Sequence, residues 1–279
     1  MVSYIRLMHP LTGLGAAAAA YAGAVVAGSS FVPTYMPLSP VLWALLSVFL
    51  IASSGMVVND IADANIDKTN NPDMHATGKA GRKGAIAFAI LLLIIGNFIP
   101  FYFISREALY ITLVTTLIFL AYNAHAKKVP LLGNVLASIL LALAIFFGAF
   151  VQGSYSAALP LIALAFLSSI SREIYKTIDH ALGEKHTPNQ TIATKLGVIK
   201  ARMLGSLFIV ATVIASFAIF FTNLAGAVYL FFAVIADIIF VAAAVSPLRL
   251  SSKLIKAAMI LIFIAFLADV YNARYLVTA

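Results

Sequence analysis

The sequence has no cysteine, a single tryptophan, and only 10 acidic residues against 18 lysines and arginines in 279 positions. Without cysteine there are no disulfides, no thiolate nucleophile and no cysteine-ligated metal. The scarcity of charge excludes more. Charged residues make up 10% of the chain and hydrophobic ones 63%, with mean hydropathy +1.04, where a soluble domain carries about 25% charged and 45–50% apolar residues. A water-soluble fold of this length could not hide so much apolar surface. The net charge of +8 would suggest nucleic acid in a soluble protein. Here the basic residues sit in short connections between apolar runs, so the charge reads as membrane topology and no nucleic-acid partner is expected.

Apolar windows of roughly 20 residues, each able to cross a ~30 Å hydrocarbon core, recur along the chain. Hydropathy and breaker residues predict helices near 11–28, 40–60, 84–104, 107–124, 132–152, 157–178, 204–222, 226–246 and 254–274. The N-terminal stretch with Arg6 and His9 leads into the first of these without an A-x-A-like cleavage site, and reads as a retained first helix. Nine spans put the termini on opposite sides. With the N-terminus cytoplasmic, only Arg106 and Arg274 of the lysines and arginines fall outside, as the positive-inside rule requires. Two long polar connections, roughly 61–83 and 179–203, then face the cytoplasm, and function on such a scaffold concentrates there.

Seven of the ten acids lie in or beside those connections: Asp60, Asp63, Asp67 and Asp73 in the first, Glu173, Asp179 and Glu184 in the second. Asn59, Asp63 and Asp67 fall at i, i+4 and i+8, along one face of a helix. Oxygen ligands gathered on one face repel each other without a partner, which favours a hard divalent cation. Mg²⁺ bound to a diphosphate suits the set best; the alternative is a solvated acidic helix end. In the second cluster Glu173, Thr177, His180 and Glu184 share a face, while Asp179 lies within i+3 of Lys176. A charge-laced surface helix is an equally good reading of that cluster alone. Glu173 comes four helices after Asn59, which suggests duplication of a four-helix unit over about 11–124 and 132–246, with the ninth helix, 254–274, added.

Asn59-Asp60-x-x-Asp63-x-x-x-Asp67 matches in full the first motif of the UbiA superfamily of intramembrane prenyltransferases, which the chain resembles over nearly its whole length. Asn71-Pro72-Asp73 and Gly78 resemble the segment that follows it, although Met74 and His75 replace an Arg-Pro pair. That departure leaves Lys68, Lys79, Arg82 or Lys83 to meet the diphosphate. Tyr122-Asn123-x-x-x-Lys127 with Gly133-Asn134 resembles the family's stretch after span four. Arg172-Glu173-Ile174-x-Lys176 and Thr191-Ile192-x-x-x-Leu196-Gly197 resemble its archaeal branch, although Thr177, His180, Leu182 and Glu184 stand where that branch has Asp, Asp, Glu and Asp.

The resemblance implies one all-α membrane domain over 1–279, with nine helices around a central cavity under cytoplasmic cap loops. It implies Mg²⁺ held by Asn59, Asp60, Asp63, Asp67, Glu173, Asp179 and Glu184, with Asp63, Asp67, Tyr122 and Lys127 in catalytic roles. Lys68, Lys79, Arg82, Lys83, Lys127, Arg172, Lys176 and His180 are the expected diphosphate contacts, and Tyr122, Asn134 and Tyr175 the expected pocket lining. The implied reaction moves a prenyl group from a long allylic diphosphate, such as geranylgeranyl diphosphate, to a lipid acceptor. For the archaeal branch that acceptor is geranylgeranylglyceryl phosphate; other branches prenylate aromatic quinone precursors such as 4-hydroxybenzoate. A transporter is the rival from another class, because Asp237 lies near the middle of a span; a silent scaffold is a further one. Asp269 reads as interfacial.

Overall fold

The structure is a computed structural model that describes residues 2–28, 38–70, 81–153, 155–183 and 192–275; the side chains of 2–3, 38, 63–70, 180, 182–183 and 274–275 lie outside that description. Its helices are α1 (Val2–Leu7), α2 (Pro10–Gly28), α3 (Leu38–Asn70), α4 (Arg82–Phe103), α5 (Arg106–Ala124), α6 (Leu132–Val151), α7 (Leu159–Gly183), α8 (Ile192–Leu196), α9 (Val198–Phe221), α10 (Ala227–Val245) and α11 (Leu248–Tyr275). Among the described residues nine helices are long and apolar enough to span a bilayer; they are α2 to α7 and α9 to α11.

Large apolar side chains point outward at helical spacing, among them Ile90, Ile94, Phe98 and Phe101 on α4 and Leu207, Val210, Ile214 and Phe221 on α9. In water such bands would drive aggregation; in lipid they face the acyl chains. The inside mixes large apolar side chains with many alanines, serines and threonines, as expected where lipid tails are as apolar as leucine and helices must associate through close packing and interhelical hydrogen bonds. Ser47 donates to the Gly96 carbonyl (2.7 Å), Ser54 to that of Ala89 (2.9 Å) and Ser171 to that of Gly205 (3.0 Å). Helices α2 and α6 cross at Gly23 and Gly148, where a Cβ on either glycine would land on the backbone of Ile145 or Ala20.

Helix α2 packs on α3, α3 on α4 and α4 on α5; the same order of neighbours recurs as α6 on α7, α7 on α9 and α9 on α10. Helix α5 passes to α6, α6 rests on α2, and α11 closes the bundle against α7, α10 and α2.

Both ends of α10 are capped from neighbouring helices. At its start, Asp269 of α11 accepts the backbone N–H of Gly226 (2.7 Å) and of Tyr229 (3.1 Å). At its end, Arg202 of α9 donates through Nε and Nη2 to the Ala244 carbonyl (3.2 and 2.8 Å) and through Nη2 to that of Ser246 (2.7 Å). An anion at the amino end and a cation at the carboxyl end satisfy the orphan backbone groups and oppose the helix dipole. Asp269, read as merely interfacial from the sequence, is thus a cap. Arg202→Met or Asp269→Asn is expected to cost about 1–2 kcal/mol each, read as a lower unfolding temperature of the purified protein.

Candidate active site

The alternation of spans brings the ends of α3, α5 and α7 and the start of α2 to one membrane face. Helix α3 has 33 residues, about 50 Å of helix at 1.5 Å per residue, against a hydrocarbon core of ~30 Å. Its last turns therefore stand clear of the membrane. Asn59 to Asp67 are helical throughout, so Asn59, Asp63 and Asp67 occupy the i, i+4 and i+8 positions of continuous helix.

At that end the chain gathers three segments. Helix α5 stops at Ala124, and a 3₁₀ turn over Ala126–Lys128 follows. The turn directs Lys127 back to α3, where Nζ donates to Asn59 Oδ1 at 3.2 Å. Gly133 lets this turn pack closely on the start of α6: a Cβ there would lie 3.0 Å from Lys127 Cα and 3.1 Å from the Ala126 carbonyl oxygen. Beside it Asn134 is buried, Tyr122 half-buried, and Asn123 buried with Oδ1 unpaired among the described residues. From the other side comes His9, whose Nε2 lies 3.0 Å from Asp60 Oδ2.

The second cluster forms its own triad. Glu173 Oε1 accepts from Arg172 Nη1 at 2.7 Å, and Oε2 lies 3.5 Å from Lys176 Nζ. Lys176 thus pairs one turn back, with Glu173, rather than forward with the carboxylate of Asp179. Helix α6 packs on both α3 and α7 and stands between the two clusters.

Tyr175 is a correction. Expected to line a pocket, it is fully buried between α7 and α9, with its hydroxyl 2.8 Å from Ser206 Oγ and its ring against Gly205. It is one helical turn from Ser171, which also bonds α9, so both belong to the face that packs. Arg82 and Lys83 begin α4 in exposed positions on the site's membrane face. Asp63, Asp67 and Lys68 are placed as helix positions only, like His180 on α7. Asp73, Lys79 and Glu184 lie outside the described residues. Asp237 is buried, with neither carboxyl oxygen hydrogen-bonded among the described residues. What sequence reasoning missed is His9, 51 residues from its partner; Pro10 just after it was the only local signal of a special backbone.

Comparisons with known proteins point to one family. The UbiA prenyltransferase family matches residues 16–268. The chain is 32% identical to digeranylgeranylglyceryl phosphate synthase of Pyrococcus furiosus over 95% of its own length and 96% of the relative's. It is also 32% identical to the Methanosarcina mazei synthase, over 96% and 98% respectively. A solved digeranylgeranylglyceryl phosphate synthase structure superposes with a TM-score of 0.82 at 25% identity, covering 97% of this chain and 98% of that one. A UbiA homologue from Archaeoglobus fulgidus bound to DMAPP and Mg²⁺ shares the fold, with a TM-score of 0.70 at 16% identity over 96% of this chain and 99% of its own. A family match over most of its length and, among the described residues, nine helices able to span a bilayer show that the chain belongs to the UbiA prenyltransferase family and is a multi-pass membrane prenyltransferase.

Proposed function

We propose that the protein alkylates the free hydroxyl of geranylgeranylglyceryl phosphate with the prenyl group of geranylgeranyl diphosphate, in a Mg²⁺-dependent reaction at its cytoplasmic face. The observation that carries this is the Lys127–Asn59 hydrogen bond, which joins the phosphate-binding candidate of span four to the acidic motif of span two. The named relatives support the acceptor. The distribution of lysine and arginine supports the orientation, with the N-terminus and both acidic clusters inside and the C-terminus outside. We read the recurring order of helix neighbours as a duplicated four-helix unit.

The donor set fits the metal. Asn59, Asp60, Asp63 and Asp67 offer oxygen ligands at one helix end, in a chain without cysteine, the chemistry Mg²⁺ prefers. When bound, Mg²⁺ supplies Lewis-acid neutralisation of the diphosphate charge. The chain's own residues do the rest. Lys127, held beside Asn59, offers its ammonium to the leaving diphosphate, and Lys68, Lys79, Arg82 and Lys83 add positive charge at the same face. Glu173, with both oxygens in ion pairs, holds Arg172 and Lys176 in place as phosphate contacts, so we assign it to orienting cations before ligating metal. In the transfer, the acceptor oxygen bonds to the allylic carbon as that carbon's bond to the diphosphate oxygen breaks. The hydroxyl proton leaves to the diphosphate or water. Tyr122 and neighbouring aromatic faces can stabilise positive charge on the allylic carbon.

The test is product formation by detergent-purified protein given both substrates, with Mg²⁺ or with EDTA, beside 4-hydroxybenzoate as an alternative acceptor. A Mg²⁺-dependent ether product is expected. Prenylated 4-hydroxybenzoate in its place would move the acceptor and sink this assignment.

A further inference from the structure

His9 joins α1 to α2 with φ 45°, directly before Pro10. A non-glycine residue seldom adopts that region, and a following proline disfavours it further. The local backbone gives a partial reason: the His9 carbonyl accepts from Thr12 N at 2.8 Å and Gly13 N at 3.3 Å, starting α2. The side chain supplies another. It reaches Asp60 at 3.0 Å, with His9 38% and Asp60 17% exposed. Helix α1 lies against the same region: Leu7 is fully buried with Val57, Ala85, Ala89 and Leu92, and Tyr4 meets Phe88 edge-on at 5.1 Å. Asp60 is one residue, about 100° of rotation, from Asn59. It stands off the stripe of Asn59, Asp63 and Asp67, and its partner comes from the N-terminal segment, whereas that of Asn59 comes from span four.

We propose that His9 is a positioning residue for prenyl transfer. By holding Asp60 it anchors α1 across the end of α3 and the start of α4 and fixes the rotation of the α3 turns that carry Asn59, Asp63 and Asp67. Asp60 is then an anchor and leaves the metal set expected from the sequence. This rests on the proposed Mg²⁺-dependent transfer, and the test separates the two.

Because the chain lacks cysteine, Leu7→Cys gives a single reporter thiol under the anchor. Its labelling by a water-soluble maleimide is expected to quicken about tenfold when His9→Ala is added, as a locally opened segment would. His9→Gln, which keeps a donor, should restore slow labelling. In the enzyme without the reporter, His9→Ala should raise the Mg²⁺ concentration for half-maximal turnover by about tenfold, with a smaller loss in kcat, and His9→Gln should recover most of it. His9→Ala/Asp60→Ala should be no worse than either single change. Labelling and Mg²⁺ dependence both unmoved by His9→Ala would overturn the proposal. So would an Asp60→Ala variant that loses kcat while Leu7→Cys stays slow to label, since Asp60 would then act directly. If the wild-type protein turns over no donor–acceptor pair, the functional reading fails, and the labelling arm still decides whether the pair anchors α1.

Discussion

Asp63→Asn/Asp67→Asn is expected to leave a protein that extracts and melts like the wild type yet transfers prenyl groups at least ~10³-fold more slowly, a loss of about 4 kcal/mol in transition-state stabilisation. Asparagine keeps the size and one oxygen of aspartate, so packing and helix formation change little. What it removes is negative charge, two units from the stripe of oxygen donors that Asn59, Asp63 and Asp67 form on α3. A hard cation bound to a diphosphate needs that charge to be held at all. The measurement is initial rate across a Mg²⁺ titration, beside the thermal midpoint of each protein. Retention of more than a tenth of the rate at saturating Mg²⁺ would mean that the first motif does not hold the cation.

Gly148→Val is expected to prevent recovery of folded protein, and Gly148→Ala to cost about 3 kcal/mol or more, on the order of a 10 °C drop in melting temperature. Both follow from the crossing of α2 and α6. A Cβ at Gly148 would fall on the Ala20 carbonyl, and one at Gly23 on that of Ile145. Neither obstacle is the end of a flexible side chain; each is backbone, so two helices must separate for the substitution to fit. Ala20, Ile145, Phe147 and Ala149 are all buried nearby, and the separation would open their contacts too. Gly15, whose Cβ would meet nothing within 4 Å, is the control, and Gly15→Ala should extract normally. Normal yield and melting of Gly148→Ala would show that the two helices do not cross so closely.

The spans were legible because each is a long apolar run, and the helices run past those runs wherever helix and membrane part company. Hydropathy ends span two near Asp60, but α3 continues to Asn70 because Ala, Asn, Asp and Lys interrupt a membrane run without breaking a helix. Span seven was expected from 204 and α9 begins at Val198; Arg202 lowers the local hydropathy while its charge is met by the carbonyl end of α10. The first acidic cluster was legible because its spacing is helical and local. In the sequence Lys176 stands within i+3 of Asp179, but Glu173 lies three residues away on the other side and has the better order, acid before base along the helix. Tyr175 and His9 could not be read in this way. Whether a tyrosine meets a cavity or Ser206, and whether a histidine meets Asp60, depends on chain 31 and 51 residues distant.

The capping of α10 from outside itself bears on how the protein is made. Residues 227–245 leave the ribosome before Asp269 exists, so the amides of Gly226 and Tyr229 that Asp269 later accepts start without that partner. Arg202 is already synthesised, so the other end can be completed as soon as Ala244 and Ser246 appear. Spans eight and nine are therefore expected to settle in the bilayer as an inserted hairpin, each unfinished until the other is in place.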